Sequence, residues 1–115
     1  MDIRVQRTID RMEEQLHRRL TVTELADAVE LSVAQLTRIF RQATGSTPGA
    51  FLHELRMGRA RILVERTSLT ISEVMTQVGM TDRSHFARHF RRAYGSCPRT
   101  LRLQLRVDSQ RWQGG

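Results

Sequence analysis

A chain of 115 residues with 39% hydrophobic content suffices for one compact domain or two very small lobes, and no apolar run nears the roughly 18–20 residues of a bilayer span. Its single cysteine, Cys97, excludes an internal disulfide, and Met1-Asp2-Ile3-Arg4 opens no apolar signal region, so a reducing cytoplasm is the expected compartment. The net charge is +7 and all 19 basic residues are arginine, which suits phosphate and guanine edges but by composition alone equally fits RNA, an anionic membrane or a solvated surface.

Taken in chain order, the pattern predicts a first helix from about Ile3 to Arg19, with Val5, Ile9, Met12 and Leu16 on one face. Thr21 is an N-cap candidate, and Glu24 three residues later completes a capping box. Val22, Leu25, Ala26 and Val29 then keep helical spacing up to the turn Glu30-Leu31-Ser32. Ser32 caps the next helix with Gln35 at its third position; Leu36, Ile39, Phe40 and Ala43 form its apolar stripe, and Gly45 stops it. A long fourth helix follows the Thr47 cap with Pro48 in its first turn and runs to about Arg66. Phe51, Leu52 and Leu55 give it apolar positions toward one end, Ile62 and Leu63 toward the other, so it is expected to serve both lobes.

Thr70 and Glu73 set a second capping box, followed by Ile71, Val74, Met75 and Val78 and by the turn Gly79-Met80-Thr81. Asp82 or Thr81 caps the sixth helix, whose stripe is Phe86, Phe90 and Ala93 and whose stop is Gly95. A last helix starts after Cys97 with Pro98 and holds Leu101 and Leu105; residues 107–115 show no helical pattern and are expected to fray. The fold class is therefore all-α, with seven helices and no strands.

This order contains an internal repeat. Residues 21–31 match 70–80 at an offset of 49, and residues 36–48 match 86–98 at an offset of 50. Ten positions are identical, among them Arg38/Arg88, Phe40/Phe90, Arg41/Arg91, Gly45/Gly95 and Pro48/Pro98. The one extra residue falls in a turn. Each copy is a short helix, a tight turn and a helix of about 12 residues, the arrangement of a helix-turn-helix unit that reads duplex DNA.

The apolar stripe must face each lobe's core, so the opposite face is what the longer helix presents outward. In the first copy that face carries Val33, Ala34, Thr37, Arg38 and Arg41; in the second, Arg83, Ser84, Ala87, Arg88, Arg91 and Arg92. N-terminal positions of such a helix meet base edges and later ones meet phosphates. Arg38, Arg83 and Arg88 are the candidates for guanine, and Ala34, Thr37 and Ala87 for thymine methyl groups. Arg41, Gln42, Arg91 and Arg92 are expected on the backbone, joined by the helix starts at Thr47 and at Cys97-Pro98-Arg99.

These residues resemble a known family. Ala26, Leu31-Ser32, Leu36, Arg38-x-Phe40 and Gly45 are similar to the first half of the AraC-type DNA-binding domain, and Arg56 with Ala60 to its linker helix. Gly79, Phe86-x-Arg88-x-Phe90-Arg91 and Gly95-x-x-Pro98-x-x-Leu101-Arg102 resemble its second half. Met75 stands where that family usually has alanine, and Met80 and Leu101 where it commonly has aromatic residues.

The resemblance implies a bacterial, nucleoid-associated transcription regulator, often an activator. Its base readers would be Ala34, Thr37, Arg38, Arg83, Ser84, Ala87 and Arg88. It places lobe one at about 3–47, the linker helix at 48–66 and lobe two at 70–106, with 107–115 as a flexible tail. A linker of about 19 residues would measure about 28 Å, near one duplex turn, so a single chain is expected to present both units to adjacent major grooves of double-stranded DNA as a monomer. Members of the family also touch RNA polymerase.

Other chemistry has weaker support in the chain. His85 and His89 lie one helical turn apart, but no second pair or HExxH pattern accompanies them, so no metal is expected. Cys97 at a helix start is read as a near-cap residue ahead of a redox switch. No catalytic constellation, cofactor loop or membrane segment is present in the pattern, and an enzyme is not expected. Two further readings stay open: a protein-interaction module contacting RNA polymerase, and a sequence-blind architectural DNA binder. Nothing resembles an effector-binding domain, which fits either a small stand-alone regulator or the DNA-binding end of a longer one.

Overall fold

The computed structural model describes residues 1–113. Among them it contains seven helices and no strand: α1 (Ile3–Glu14), α2 (Val22–Ala28), α3 (Val33–Thr44), α4 (Pro48–Arg66), α5 (Ile71–Gln77), α6 (Arg83–Tyr94) and α7 (Pro98–Gln113). None of these helices is long and apolar enough to cross a membrane. The chain divides into two compact units, Met1–Arg56 and Met57–Gly115, and the boundary falls inside α4.

Unit 1 packs Val5, Ile9, Met12 and Leu16 with Leu25, Ala26, Leu36, Phe40 and Leu52 in one core. Phe51 sets its ring edge-on to Phe40 at 5.2 Å between centroids, a favoured aromatic geometry. Helix α1 ends at Glu14, five residues short of the expected Arg19. Leu16 and Leu20 nonetheless stay buried, because the connection to α2 folds back over the same core. At the other end of α1, Asp2 is the N-cap, and its bonds from the Arg4 guanidinium and amide hold its carboxyl down to about 2.

Unit 2 repeats this plan around Met57, Ala60, Val64, Val74, Met75, Val78, Phe86 and Phe90. The second half of α4 thus takes the place that α1 has in unit 1. The buried positions 57, 60 and 64 keep helical spacing, and this corrects the expectation for Ile62, which turns to solvent at 47% exposure. Ala43 and Ala93 are also exposed, contrary to the apolar-stripe reading. In the last turn the residue after each alanine points inward instead: Thr44 donates its hydroxyl to the Phe40 carbonyl at 2.8 Å, and the Tyr94 ring lies 4.8 Å from Phe90. Met75 is buried, and Met80 and Leu101 pack against the same core, so the three departures from the family pattern keep their apolar role.

Two arginines tie α4 and α7 to the end of the first helix of their unit or to the connection that follows it. Arg56 of α4 donates to the Arg18 carbonyl at 2.7 Å, and its burial lowers the guanidinium pKa. In unit 2, Arg102 of α7 donates to the carbonyls of Val64 and Leu69. These carbonyls lie at or beyond helix ends, where intrahelical donors run out.

Helix α7 continues to Gln113, so the expected break at 107 does not occur. Residues 107–110 leave their side chains exposed, so no buried apolar stripe marks this part of the helix in the sequence. Residues 114–115, the rest of the expected tail, lie outside the described residues.

The two turns differ in one informative way. Glu30 and Gly79 are equivalent and both adopt positive φ, 58° and 72°. A side chain at such φ costs about 1–2 kcal/mol, partly offset if glycine is introduced because glycine loses more freedom on folding. Glu30→Gly is expected to stabilise unit 1 by about 0.5–1 kcal/mol, read as a higher urea midpoint at unchanged slope. A lower midpoint would show that the Glu30 side chain makes a compensating contact.

Candidate nucleic-acid interface

Helices α3 and α6 are placed by their caps. Ser32 and Gln35 form the full reciprocal box at the start of α3, at 3.1 and 2.9 Å. Asp82, rather than Thr81, caps α6 by accepting from the His85 amide at 2.9 Å. Thr81 is therefore the residue inserted in the second copy. Preceding helices follow suit: Thr70 and Glu73 make a reciprocal box, whereas Thr21 accepts from the Glu24 amide and that box is one-sided. Gly45 at φ 78° and Gly95 at φ 84° close α3 and α6 by donating to the Arg41 and Arg91 carbonyls at 2.8 Å.

With Leu36 and Phe40 buried on one side of α3, Ala34, Thr37, Arg38 and Arg41 fall together on the other by their spacing. Ser84, Ala87, Arg88 and Arg91 do the same on α6 opposite Phe86 and Phe90. Ala34, Arg38, Arg41, Arg83, Ser84, Arg88 and Arg91 are exposed; Thr37 and Ala87 are half-buried at the edge of the core. Gln42 and Arg92 are exposed one residue further round each helix. Neither α3 nor α6 contains an acidic residue.

Two more expected phosphate contacts sit at helix starts. Thr47 accepts from the Ala50 amide at 3.2 Å, which leaves its hydroxyl hydrogen for an anion. At the equivalent place Cys97 lies 3.0 Å from the Thr100 hydroxyl, whose bond lowers the thiol pKa; Arg99 is exposed in the first turn of α7. His85 and His89 meet edge to face at 4.0 Å, and no group of three or more metal-type ligands occurs among the described residues.

Sequence reasoning overlooked two features. First, the charge is partitioned: unit 1 holds eight arginines against eight acids, while unit 2 holds eleven against four and so carries the whole +7. That signal was available by counting, once the boundary within α4 was known. Second, Arg83 at the start of α6 donates to the Ser72 hydroxyl of α5 at 3.2 Å. No periodicity marks such a pair, eleven residues apart across a turn.

A family model described as a helix-turn-helix domain matches residues 25–104. Among curated proteins, the chain is 36% identical over 98 residues to the HTH-type transcriptional regulator ArgR of Pseudomonas aeruginosa, covering 85% of this chain and 30% of that protein. It is 32% identical over 101 residues to the HTH-type transcriptional activator RhaS of Escherichia fergusonii, covering 88% of this chain and 36% of that protein. The chain belongs to the AraC family of helix-turn-helix transcription regulators. It spans about a third of the length of these curated relatives.

Solved structures agree at the level of the whole fold. The DNA-binding domain of AdpA, a global transcriptional factor solved in complex with a target DNA, superposes with a TM-score of 0.86 at 30% identity, covering 90% of this chain and 94% of that one. An AraC-type regulator from Chromobacterium violaceum gives a TM-score of 0.80 at 30% identity, with 89% and 91% covered. The fold of this chain is that of an AraC-type DNA-binding domain.

Proposed function

We propose that this AraC-type domain binds double-stranded DNA sequence-specifically, with α3 and α6 as readers of adjacent major-groove segments, and that it activates bacterial transcription. The observation that carries this reading is the duplicated face: each unit has one capped 12-residue helix whose outward side bears arginines at matched positions and no acid. In this reading Ala34, Thr37, Arg38, Arg83, Ser84, Ala87 and Arg88 meet base edges. Arg41, Gln42, Thr47, Arg91, Arg92 and Arg99 meet phosphates and set the register.

Both readers belong to one chain, so one copy serves a non-palindromic site, and the DNA-binding unit acts as a monomer. The name of RhaS, a transcriptional activator, supports activation, and a contact with RNA polymerase is the route proposed for it. Selection of bound duplexes from a random pool tests the reading. A recovered motif with two half-sites, bound at least about 1,000-fold more tightly than random duplex by one protein per DNA, is the expected result. Equal affinity for random duplex would instead make the chain an architectural binder.

A further inference from the structure

We infer that Ser72, a residue of α5 outside the reading helix, is a positioning residue that sets the base preference of Arg83. The inference rests on the base-reading role proposed for Arg83. Arg83 is the first residue of α6, where its side chain is exposed and, unaided, samples many rotamers. Its Nη1 donates to the Ser72 Oγ at 3.2 Å, a bond between α5 and α6 across the turn of the unit. Ser72 is in turn fixed by its place in α5, directly before Glu73 of the reciprocal Thr70–Glu73 box.

A guanidinium has five N–H donors in a planar fork, and bidentate contact with guanine uses two. One bond to Ser72 therefore leaves enough donors for the base while restricting the orientations open to the fork. Freedom that would be lost on binding DNA is already reduced in the free protein, and the orientation favours one base over others.

Unit 1 has no counterpart. At the positions matching Ser72 and Arg83 it carries Thr23 and Val33, and valine has no donor to offer. Val33 is instead 42% exposed, an apolar group at the same register position. The device therefore belongs to the second unit alone and makes the two half-sites unlike at this base pair.

The test compares the wild type with Ser72→Ala, Ser72→Thr, Arg83→Ala and the Ser72→Ala/Arg83→Ala pair on the selected duplex and on its variants at each base pair. Ser72→Ala should weaken binding about 3- to 10-fold and flatten the preference at the one base pair that Arg83→Ala also flattens. Ser72→Thr, which keeps a hydroxyl, should restore that preference, and the double variant should bind no worse than Arg83→Ala alone. Unchanged melting temperatures separate this outcome from a folding defect. An unaltered base preference in Ser72→Ala, while Arg83→Ala alters it, overturns the role of Ser72 and leaves Arg83 as a reader. A Ser72→Ala loss that persists in the Arg83→Ala background, equal on all sequences, overturns it in favour of a direct phosphate contact. No effect of Arg83→Ala at any base pair overturns both this inference and the base-reading role beneath it.

Discussion

Raising salt from about 50 to about 200 mM should weaken DNA binding by about 10³- to 10⁴-fold, the consequence of releasing counterions from about six to eight phosphates. The physical source is specific. Eleven arginines against four acids place the net charge in unit 2, whereas eight of each cancel in unit 1. Arg91→Ala with Arg92→Ala should therefore lower the slope of log affinity against log salt by about 2, and weaken all sequences alike. Arg41→Ala in unit 1 should lower it by about 1. Fluorescence anisotropy titrations over a salt series give these slopes directly. A wild-type slope shallower than about 3 would contradict phosphate contact on this scale.

Replacing Arg88 by alanine should cost about 1–3 kcal/mol on the selected site and erase discrimination at one base pair of its second half. Arg38→Ala should do the same in the first half, since Arg38 and Arg88 hold matched exposed positions opposite buried phenylalanines. Each side chain rests on a different core, so the losses should add in the double variant. Competition shift assays with single-base variants measure both the loss and the flattened position. If Arg88→Ala leaves affinity and preference untouched, α6 does not read bases. The contrast with the phosphate variants is diagnostic: loss of a base reader changes which sequence wins, and loss of a phosphate contact changes how tightly every sequence is held.

Most helices were legible because caps and stops are local chemistry. Ser32 with Gln35, Thr70 with Glu73, and the prolines at 48 and 98 mark starts that the structure places at the same residues. Errors arose where apolar spacing and helicity part company. Leu16 extends the buried face of α1 past its end, so spacing carried the expected helix too far. Beyond Val107 the reverse holds: α7 continues with exposed side chains, and spacing fell silent while the helix did not. Ile62 was placed inward for its hydrophobicity, although the spacing of Met57, Ala60 and Val64 already assigned the inward face.

The outward arginines of the candidate site could be read from the sequence because a face opposite buried phenylalanines must be exposed. What could not be read is any bond between residues far apart. Arg56 with the Arg18 carbonyl and Arg102 with the Val64 carbonyl each join positions 38 residues apart, and Arg83 with Ser72 crosses a turn. Such pairs depend on how helices meet, which no local pattern encodes. Some arginines of this chain are thus occupied by its own groups, Arg56 and Arg102 by carbonyls and Arg4 and Arg61 by carboxylates, while Arg38, Arg88 and Arg91 are exposed on the outward faces.

Because the unit boundary lies within α4, there is no neutral place to cut this molecule in two. A fragment stopping at residue 47 loses Phe51 and Leu52 from the first core, and one starting at residue 67 loses Met57, Ala60 and Val64 from the second. Either half, made alone, exposes apolar surface that the intact chain covers. Dissection would have to let the pieces overlap, roughly residues 1–66 and 48–115, each taking its own copy of the same 19 residues.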